Sequence, residues 1–563
     1  MIDKKVAVLG GSTTQDVCSL LELFLLDGGI RPQFYQSEFG QYWQDAVFPP
    51  QALCDFAPDV VFVHTSLRNL ATRPAPGMAA AEVTQMLDDE MARLTQMWQA
   101  LAEQFDCPVI QNNFEPPFYR LMGNRDAWDA GGLTHYVHQL NGRLYKYAAA
   151  HPSFYIHDIH YLAAEYGLSR WADPAAWHLY KYALAPAAIP AFAANLSHII
   201  LSLYGRNKKA LVMDLDNTLW GGVVGDDGVE GLEIGHETPM GEVFSEFQQY
   251  VKDHRRLGVV LAVNSKNQPE NALAGLAHPE GTLREEDFAV VCANWQPKDR
   301  NLAAIADALN LGVDALAFVD DNPAERELVR QAGLGAAVPE VTRPEEYIHV
   351  LDQSGFFETT VFSAEDAARA DMYRQNAQRQ SQQAQFADYD AFLQSLAMRG
   401  AIRPFEPLYL PRITQLTNKS NQFNLTTRRY TENELQAMAE NPAFICLYGK
   451  LEDRFGDNGV VSVVAAEAEA GALHIRLWLM SCRVLKRGME QAMMDALAAR
   501  AAARGIKQLV GYYYKTAKNQ MVQDFYAEFG FQKVAETPEG DSEWRLELSA
   551  YRPQNRWIKV EEA

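Results

Sequence analysis

The chain is short of cysteine, short of positive charge and without a long uninterrupted apolar run. Its 563 residues include six cysteines, Cys18, Cys54, Cys107, Cys292, Cys446 and Cys482, and no two of them form a Cys-x-x-Cys pair. That spacing indicates neither a zinc site nor a disulfide framework. Lys and Arg number 50 against 72 Asp and Glu, for a formal net charge of −22. Such a balance argues against a nucleic-acid surface. It leaves an anionic small substrate open, because one local cation site overrides the mean field. An acidic carrier protein would need a local basic patch. No segment reaches the roughly 18 apolar residues of a bilayer span, and Met1-Ile2-Asp3-Lys4-Lys5 runs into a strand rather than into a signal-peptide core. The expectation is a cytoplasmic protein with no membrane and no nucleic-acid partner.

At 48% hydrophobic and 22% charged, the chain is globular and long enough for several domains. Residues 1–205 alternate short strands with helical stretches, which predicts an α/β domain around a parallel sheet. Residues 206–355 repeat that alternation as a second α/β unit. The Ala-, Gln- and Arg-rich stretch within 356–390 reads as a helical connector. Residues 391–563 mix strands with one long helix, Gly488–Ala503, which predicts α+β.

The most informative stretch is Leu211-Val212-Met213-Asp214-Leu215-Asp216-Asn217-Thr218. A strand delivers two carboxylates, one residue apart, onto a loop. Asp-x-Asp-x-Thr after a hydrophobic strand is similar to the signature of the haloacid dehalogenase (HAD) phosphotransferases. Their chemistry uses one carboxylate to attack phosphorus and the other to protonate the leaving oxygen and then activate water. A divalent cation has to offset the charge of the incoming phosphate. Ser265 follows the strand ending Val263-Asn264, and its hydroxyl suits a phosphate oxygen. Lys298 opens a helix after Trp295-Gln296-Pro297. Asp320 and Asp321 end another strand, where with Asp214 and the backbone carbonyl of Asp216 they can hold Mg²⁺. Four motifs in this order, each at a strand's C-terminal end, match ligand placement in open parallel sheets. The interval after Asp214, with Gly221-Gly222-Val223-Val224-Gly225, is long enough for a flap and too short for a cap domain, so a tethered substrate can reach the site.

Residues 214–228, Asn294–Lys298, Asp320–Glu327, Gln415–Thr427 and Ser481-Cys482-Arg483-Val484 resemble FkbH-like proteins, subfamily IIIC of the HAD superfamily. The resemblance implies removal of phosphate from D-1,3-bisphosphoglycerate and placement of a glyceryl group on the phosphopantetheine thiol of an acyl carrier protein, in polyketide or related biosynthesis. By residue matching it implies Asp214 as nucleophile, Asp216 as acid/base, Ser265 and Lys298 on phosphate, and Asp320 and Asp321 on metal. Many members carry cysteine where this chain has Asn264, and a thiol there would hold the acyl group. Two alternatives follow: a small-molecule phosphatase, or acyl transfer to a sugar hydroxyl in polysaccharide assembly.

The strand, basic turn and helix start at Leu477–Gly488 resemble the acyl-CoA loop of GNAT acyltransferases, as do Asn519, Tyr526 and Phe529-Gly530-Phe531. Arg483, Lys486, Arg487 and Gly488 are the expected carrier or pantetheine contacts, although Lys486 stands where the loop's first glycine belongs. Cys482 is placed to form an acyl thioester, or is a buried small apolar residue, and Cys292 is a second thiol. Gly10-Gly11-Ser12 resembles the nucleophile block of SGNH hydrolases, with Asn112 or Asn113 as oxyanion donor and His160 or His178 as base. The alternative for Ser12 is a helix cap.

Overall fold

The computed structural model describes residues 1–383, 386, 388–420, 422–481, 484–516 and 518–561. The chain forms two compact units, Met1–Arg206 and Asn207–Ala563.

In the first unit, β1 (Ile2–Gly10), β2 (Ile30–Gln36), β3 (Val60–His64), β4 (Val109–Asn112) and β5 (Phe154–His157) form a parallel sheet in the order β2-β1-β3-β4-β5. This is the flavodoxin-like order of a doubly wound sheet. The central strands β1 and β3 are apolar throughout their middles because both faces are covered. On one face lie helices that include Gln15–Asp27 and Ile189–Leu203, and on the other Ala80–Gln104 and Leu133–Ala150. The stretch Pro186–Leu203 is long and apolar enough to pass for a membrane span by length and composition. Its Phe192, Leu196 and Ile200 pack in this core.

In the second unit, β6 (Ala210–Met213), β7 (Val260–Ser265), β8 (Val290–Ala293) and β9 (Leu316–Val319) form a parallel sheet ordered β8-β7-β6-β9. Helices Pro239–Arg256 and Lys298–Leu309 pack on opposite faces. Only short helical turns, Val224–Asp227 and Val229–Gly231, lie between β6 and Pro239. The interval is therefore a flap, pinned by paired bonds between Gly221 and Glu233.

The remaining strands are β10 (Arg399–Pro404), β11 (Phe423–Asn424), β12 (Phe444–Asp453), β13 (Gly456–Glu469), β14 (Ala472–Met480), β15 (Gln508–Tyr513), β16 (Gln532–Glu536), β17 (Ser542–Glu547) and β18 (Lys559–Glu561). They make a nine-stranded mixed sheet around the helix Met489–Ala503. Strands β14 and β15 pair in parallel only over Ala472–His474 and Gln508–Val510. Where they part, β11 enters: Leu425 N–H donates to Trp478 O (3.0 Å) and Tyr514 N–H to Leu425 O (2.8 Å). The helix Arg369–Gln383 is tied to both sheets. Arg255 pairs with Asp371 (2.6 Å) and Arg374 donates to Glu286 O (3.0 Å), while Arg379 pairs with Asp453 of β12 (2.7 Å).

A buried polar group marks the C-terminal edge of the first sheet. Asn112 Nδ2 donates to His64 Nδ1 (2.8 Å), and His157 Nδ1 donates to Asn112 Oδ1 (2.8 Å). Burial pushes His64 down to about 4 and, with His64 nearby, His157 to about 3; it pushes His198 to about 4. The unfolded chain takes up these protons below about 6.5 while the folded chain excludes them. Their contribution is complete above that pH and is lost as pH falls towards 4. Each excluded proton costs about 1.4 kcal/mol per pH unit in that window. Glu115, which burial pushes up to about 7, acts in the opposite sense with a single proton. Urea unfolding of the intact chain is expected to show a transition whose midpoint drops between pH 7 and pH 5, and a pH-independent profile would refute this.

Candidate active site

The loops at the C-terminal ends of β6, β7, β8 and β9 converge in the second unit. Asp214 directly follows β6, Ser265 closes β7, Lys298 opens the helix after β8, and Asp320 and Asp321 follow β9. Lys298 and Asp320 are fully buried and Asp214 nearly so. Lys298 Nζ lies 2.8 Å from Asp214 Oδ2 and also bonds Asp320 Oδ2. Burial alone would lower the Lys298 ammonium, but the carboxylates of Asp214 and Asp320 more than offset it and hold it above its ordinary value. Burial drives Asp320 upward, against the pull of Lys298. Burial, then the charge of Asp214, raises Asp321.

Local structure fixes these groups. Asp320 Oδ1 accepts the Asn322 N–H (2.9 Å), and Arg326 donates to the carbonyls of Asp320 (2.8 Å) and Asp321 (2.7 Å). Thr218 Oγ1 accepts the Asp321 N–H (3.2 Å), which ties the first motif to the last. Asn217 adopts φ +54°, a left-handed turn that asparagine tolerates, and its Oδ1 accepts from Gly222 N (3.0 Å) at the base of the flap. Asp216 is half-buried, and burial, with the charge of Asp214 adding to it, raises its carboxyl against the N–H bonds it accepts.

One ammonium stands among four carboxyl groups. Asp214, Asp320 and Asp321 each offer an oxygen within 4.8 Å of the others, and Asp214 Oδ1 is buried without a hydrogen-bond partner. A hard divalent cation fits that oxygen set.

Sequence reasoning missed an amide network beneath Lys298. Asn264 Nδ2 donates to Lys298 O (3.0 Å), and Asn301 Nδ2 donates to Asn264 Oδ1 and Asn294 Oδ1 (both 3.1 Å). Asn294 Nδ2 reaches Cys292 Sγ (3.3 Å), and burial pushes that thiol up. A buried amide needs partners, and that was the available signal.

Cys482 and Arg483, expected as thiol and carrier contact, lie outside the described residues. Arg487 is buried, 3.3 Å from Asp453 Oδ2 and bonded to Asn376, so its guanidinium serves the interior rather than a phosphate. Lys486 has φ +61°, and its N–H donates to Glu490 Oε1 (2.8 Å). Gly488 caps the helix at φ +86°, where a Cβ would come within 2.8 Å of the Trp557 ring. The carboxyl of Glu490 thus takes up an N–H at the helix start where an anion was expected.

Ser12 is buried, and its hydroxyl has no hydrogen-bond partner. Thr14, not Ser12, precedes the helix as its N-cap. Asn113 donates to Asp158 (2.5 Å), and His160 Nδ1 faces Phe114 O (3.0 Å). Asn112 lies between His64 and His157, and Asp173 caps the helix that carries His178. No serine–histidine bond forms at Ser12.

The family model for FkbH, N-terminal domain, matches residues 5–201. No curated protein matches the chain. Among solved structures, the N-terminal part of BF1531 from Bacteroides fragilis, which contains a phosphatase domain complexed with Mg, is 31% identical. The match covers 64% of this chain and 96% of that one, at a TM-score of 0.60. The ribosomal-protein-S18-alanine N-acetyltransferase of Escherichia coli is 13% identical over 26% of this chain and 94% of its own, at a TM-score of 0.21. The spermidine N-acetyltransferase of Vibrio cholerae is 13% identical over 27% and 98%, at 0.23.

Replacing Lys298 by Met leaves Asp214 and Asp320 buried without their cation. Loss of one partner from a buried ion pair costs about 3–5 kcal/mol. Urea unfolding of Lys298→Met at pH 7 is expected to show a deficit of that order that narrows at pH 5, as Asp320, which burial already pushes up to about 6, takes up its proton. A variant as stable as the parent would contradict the pairing.

Proposed function

The chain belongs to the FkbH-like family of the HAD superfamily, and from that premise we propose that it is a Mg²⁺-dependent phosphatase and acyl transferase acting on D-1,3-bisphosphoglycerate. The observation that carries the phosphatase half is the buried Lys298 between Asp214 and Asp320, with Asp214 Oδ1 left without a partner.

Asp214 is the nucleophile. Its carboxylate oxygen bonds phosphorus as the bond to the leaving oxygen breaks, giving an aspartyl phosphate. Asp216 gives its proton to the leaving oxygen and takes one back from the water that releases phosphate. Lys298 and the Ser265 hydroxyl hold the phosphoryl oxygens, and the ammonium keeps the buried carboxylates in register. Mg²⁺, held by Asp214, Asp320, Asp321 and the Asp216 backbone carbonyl, would offset the negative charge of the phosphoryl group.

The glyceryl group then passes to the phosphopantetheine thiol of an acyl carrier protein. The thiol sulfur bonds the acyl carbon, the bond to the acyl phosphate oxygen breaks, and the thiol proton is released. The likeness of Gln415–Thr427 and of the Ser481–Val484 segment to FkbH-like proteins supports this half. A specific observation favours the plainer reading, a small-molecule phosphatase: Arg487, in the basic turn before the helix Met489–Ala503, is bonded within the protein to Asp453 and Asn376. Asn264, in place of a thiol, keeps a sugar hydroxyl as a further acceptor.

The test incubates the protein with Mg²⁺, D-1,3-bisphosphoglycerate and a holo acyl carrier protein, then weighs both proteins intact. Phosphate release is expected to fall roughly 10³-fold or more in Asp214→Asn and to stop when EDTA removes the metal. A glyceryl or phosphoglyceryl adduct on the carrier establishes transfer. Phosphate release with the carrier mass unchanged leaves the small-molecule phosphatase, and undiminished release by Asp214→Asn overturns the mechanism.

A further inference from the structure

The carboxyl of Asp216 is held at both oxygens by three N–H donors, two from the segment Trp220–Val224 and one from the loop after β7. Trp220 Nε1 (2.9 Å) and the Val224 backbone N–H (3.1 Å) donate to Oδ1, and Asn267 Nδ2 donates to Oδ2 (2.8 Å). Val224 begins the short helix of the flap, and Asn267 follows β7 two residues after Ser265. Neither side-chain donor is free to drift. Trp220 is almost fully buried, with its ring so close to Gly275 that a Cβ there would lie 2.7 Å away, and Asn267 is buried. A carboxyl tied at one oxygen can still turn about its Cβ–Cγ bond. Tied at both, it has one orientation, set by the same strand end that places Ser265.

We propose that Asn267 and Trp220 are positioning residues that aim Asp216 for proton transfer to the leaving oxygen. The inference rests on the reading of Asp214 as nucleophile. In that step the Asp214 oxygen bonds phosphorus, the P–O bond to the leaving group breaks with its electron pair going to that oxygen, and the Asp216 proton follows. In the second step a water oxygen bonds phosphorus, its proton goes to Asp216, and the bond from phosphorus to Asp214 breaks. An alkoxide leaves only when protonated, whereas a nitrophenolate leaves unaided. The effect of misaiming Asp216 on the first step is therefore graded by the leaving group, and a role confined to holding the fold would not be.

The experiment measures phosphate release by the full chain with Mg²⁺ from 3-phosphoglycerate, an alkyl ester, and from p-nitrophenyl phosphate. Placed proton transfer contributes roughly 10²–10⁴-fold, and losing part of it in Asn267→Ala is expected to lower kcat/KM, which reports the first phosphoryl transfer, about 10–100-fold on the alkyl ester. The loss of kcat/KM on p-nitrophenyl phosphate should be below about threefold, while the water step, common to both esters, can lower kcat on each. Trp220→Phe, which keeps the ring and removes the indole N–H, is expected to show the same graded pattern, and it carries the test if Asn267→Ala fails to fold. Equal losses of kcat/KM on the two esters overturn the proposal. Asp216→Asn separates the levels: if it treats both esters as the parent does, the acid/base role of Asp216 is what fails. Absence of phosphate release from either ester by the parent overturns the phosphatase reading itself.

Discussion

Everything in the second unit's parallel sheet is arranged around one electrostatic problem, a single buried ammonium among carboxyl groups. Burying a charge without a partner costs several kcal/mol, so Lys298, Asp214 and Asp320 are mutually necessary. The strands dictate where this can happen. Each of the four parallel strands ends at the same edge, and the polar residues that cannot continue into the apolar core collect there. The excess of acid that results is unfavourable alone. It becomes useful only when a divalent cation and a phosphoryl group share the space, so the site's instability without ligand and its function with ligand have one cause.

The same principle, applied to the rest of the unit, gives a different outcome. Asp453 on β12 is buried and receives both Arg379 and Arg487. Those two arginines come from the helix Arg369–Gln383 and from the turn before Met489–Ala503. Here both oxygens of one carboxylate take up cations from within the protein, and the product is cohesion between a connecting helix and a sheet. An arginine near a helix start therefore says little about ligands until its partner is known. The contrast between Asp453, with two cations, and Asp214, with one unpartnered oxygen, separates a structural ion pair from a site prepared for something else.

The proposed phosphotransfer residues could be located in the sequence because their signals are local. Asp214, Ser265 and Asp320 stand at the ends of apolar runs that form buried strands, Lys298 opens the helix after β8, and the strand ends bring them together. Strand β2, with its alternating Ile30-Arg31-Pro32-Gln33 pattern, was not read as a strand, because proline and polar residues there fit the sheet edge it occupies. Strand β11 is only two residues long and exists because β14 and β15 diverge, a long-range fact with no local signal. Lys486 and Arg487 were expected as ligand contacts from their charge, their place before a helix start and the likeness of that turn to the acyl-CoA loop of GNAT acyltransferases. Glu490 and Asp453, which take up that turn, are respectively a helix neighbour and a residue on a distant strand, and sequence spacing reveals only the first.

Asn264 shows how one substitution redirects a position. At the end of β7 it lies directly beside Cys292 of β8 and beneath the start of the helix that carries Lys298. Its amide both donates, to the Lys298 carbonyl, and accepts, from Asn301. A thiol is a weak donor and a weak acceptor, so it would satisfy neither partner well, and Asn301 would lose one of its two acceptors. The amide at this position thus braces the start of the helix that carries Lys298. Cys292 does not replace that thiol in kind, since burial keeps it protonated and Asn294 already bonds it. Any acyl intermediate has to be sought on the carrier or elsewhere on the chain, while the geometry around Asp214 stands independently of where that group is held.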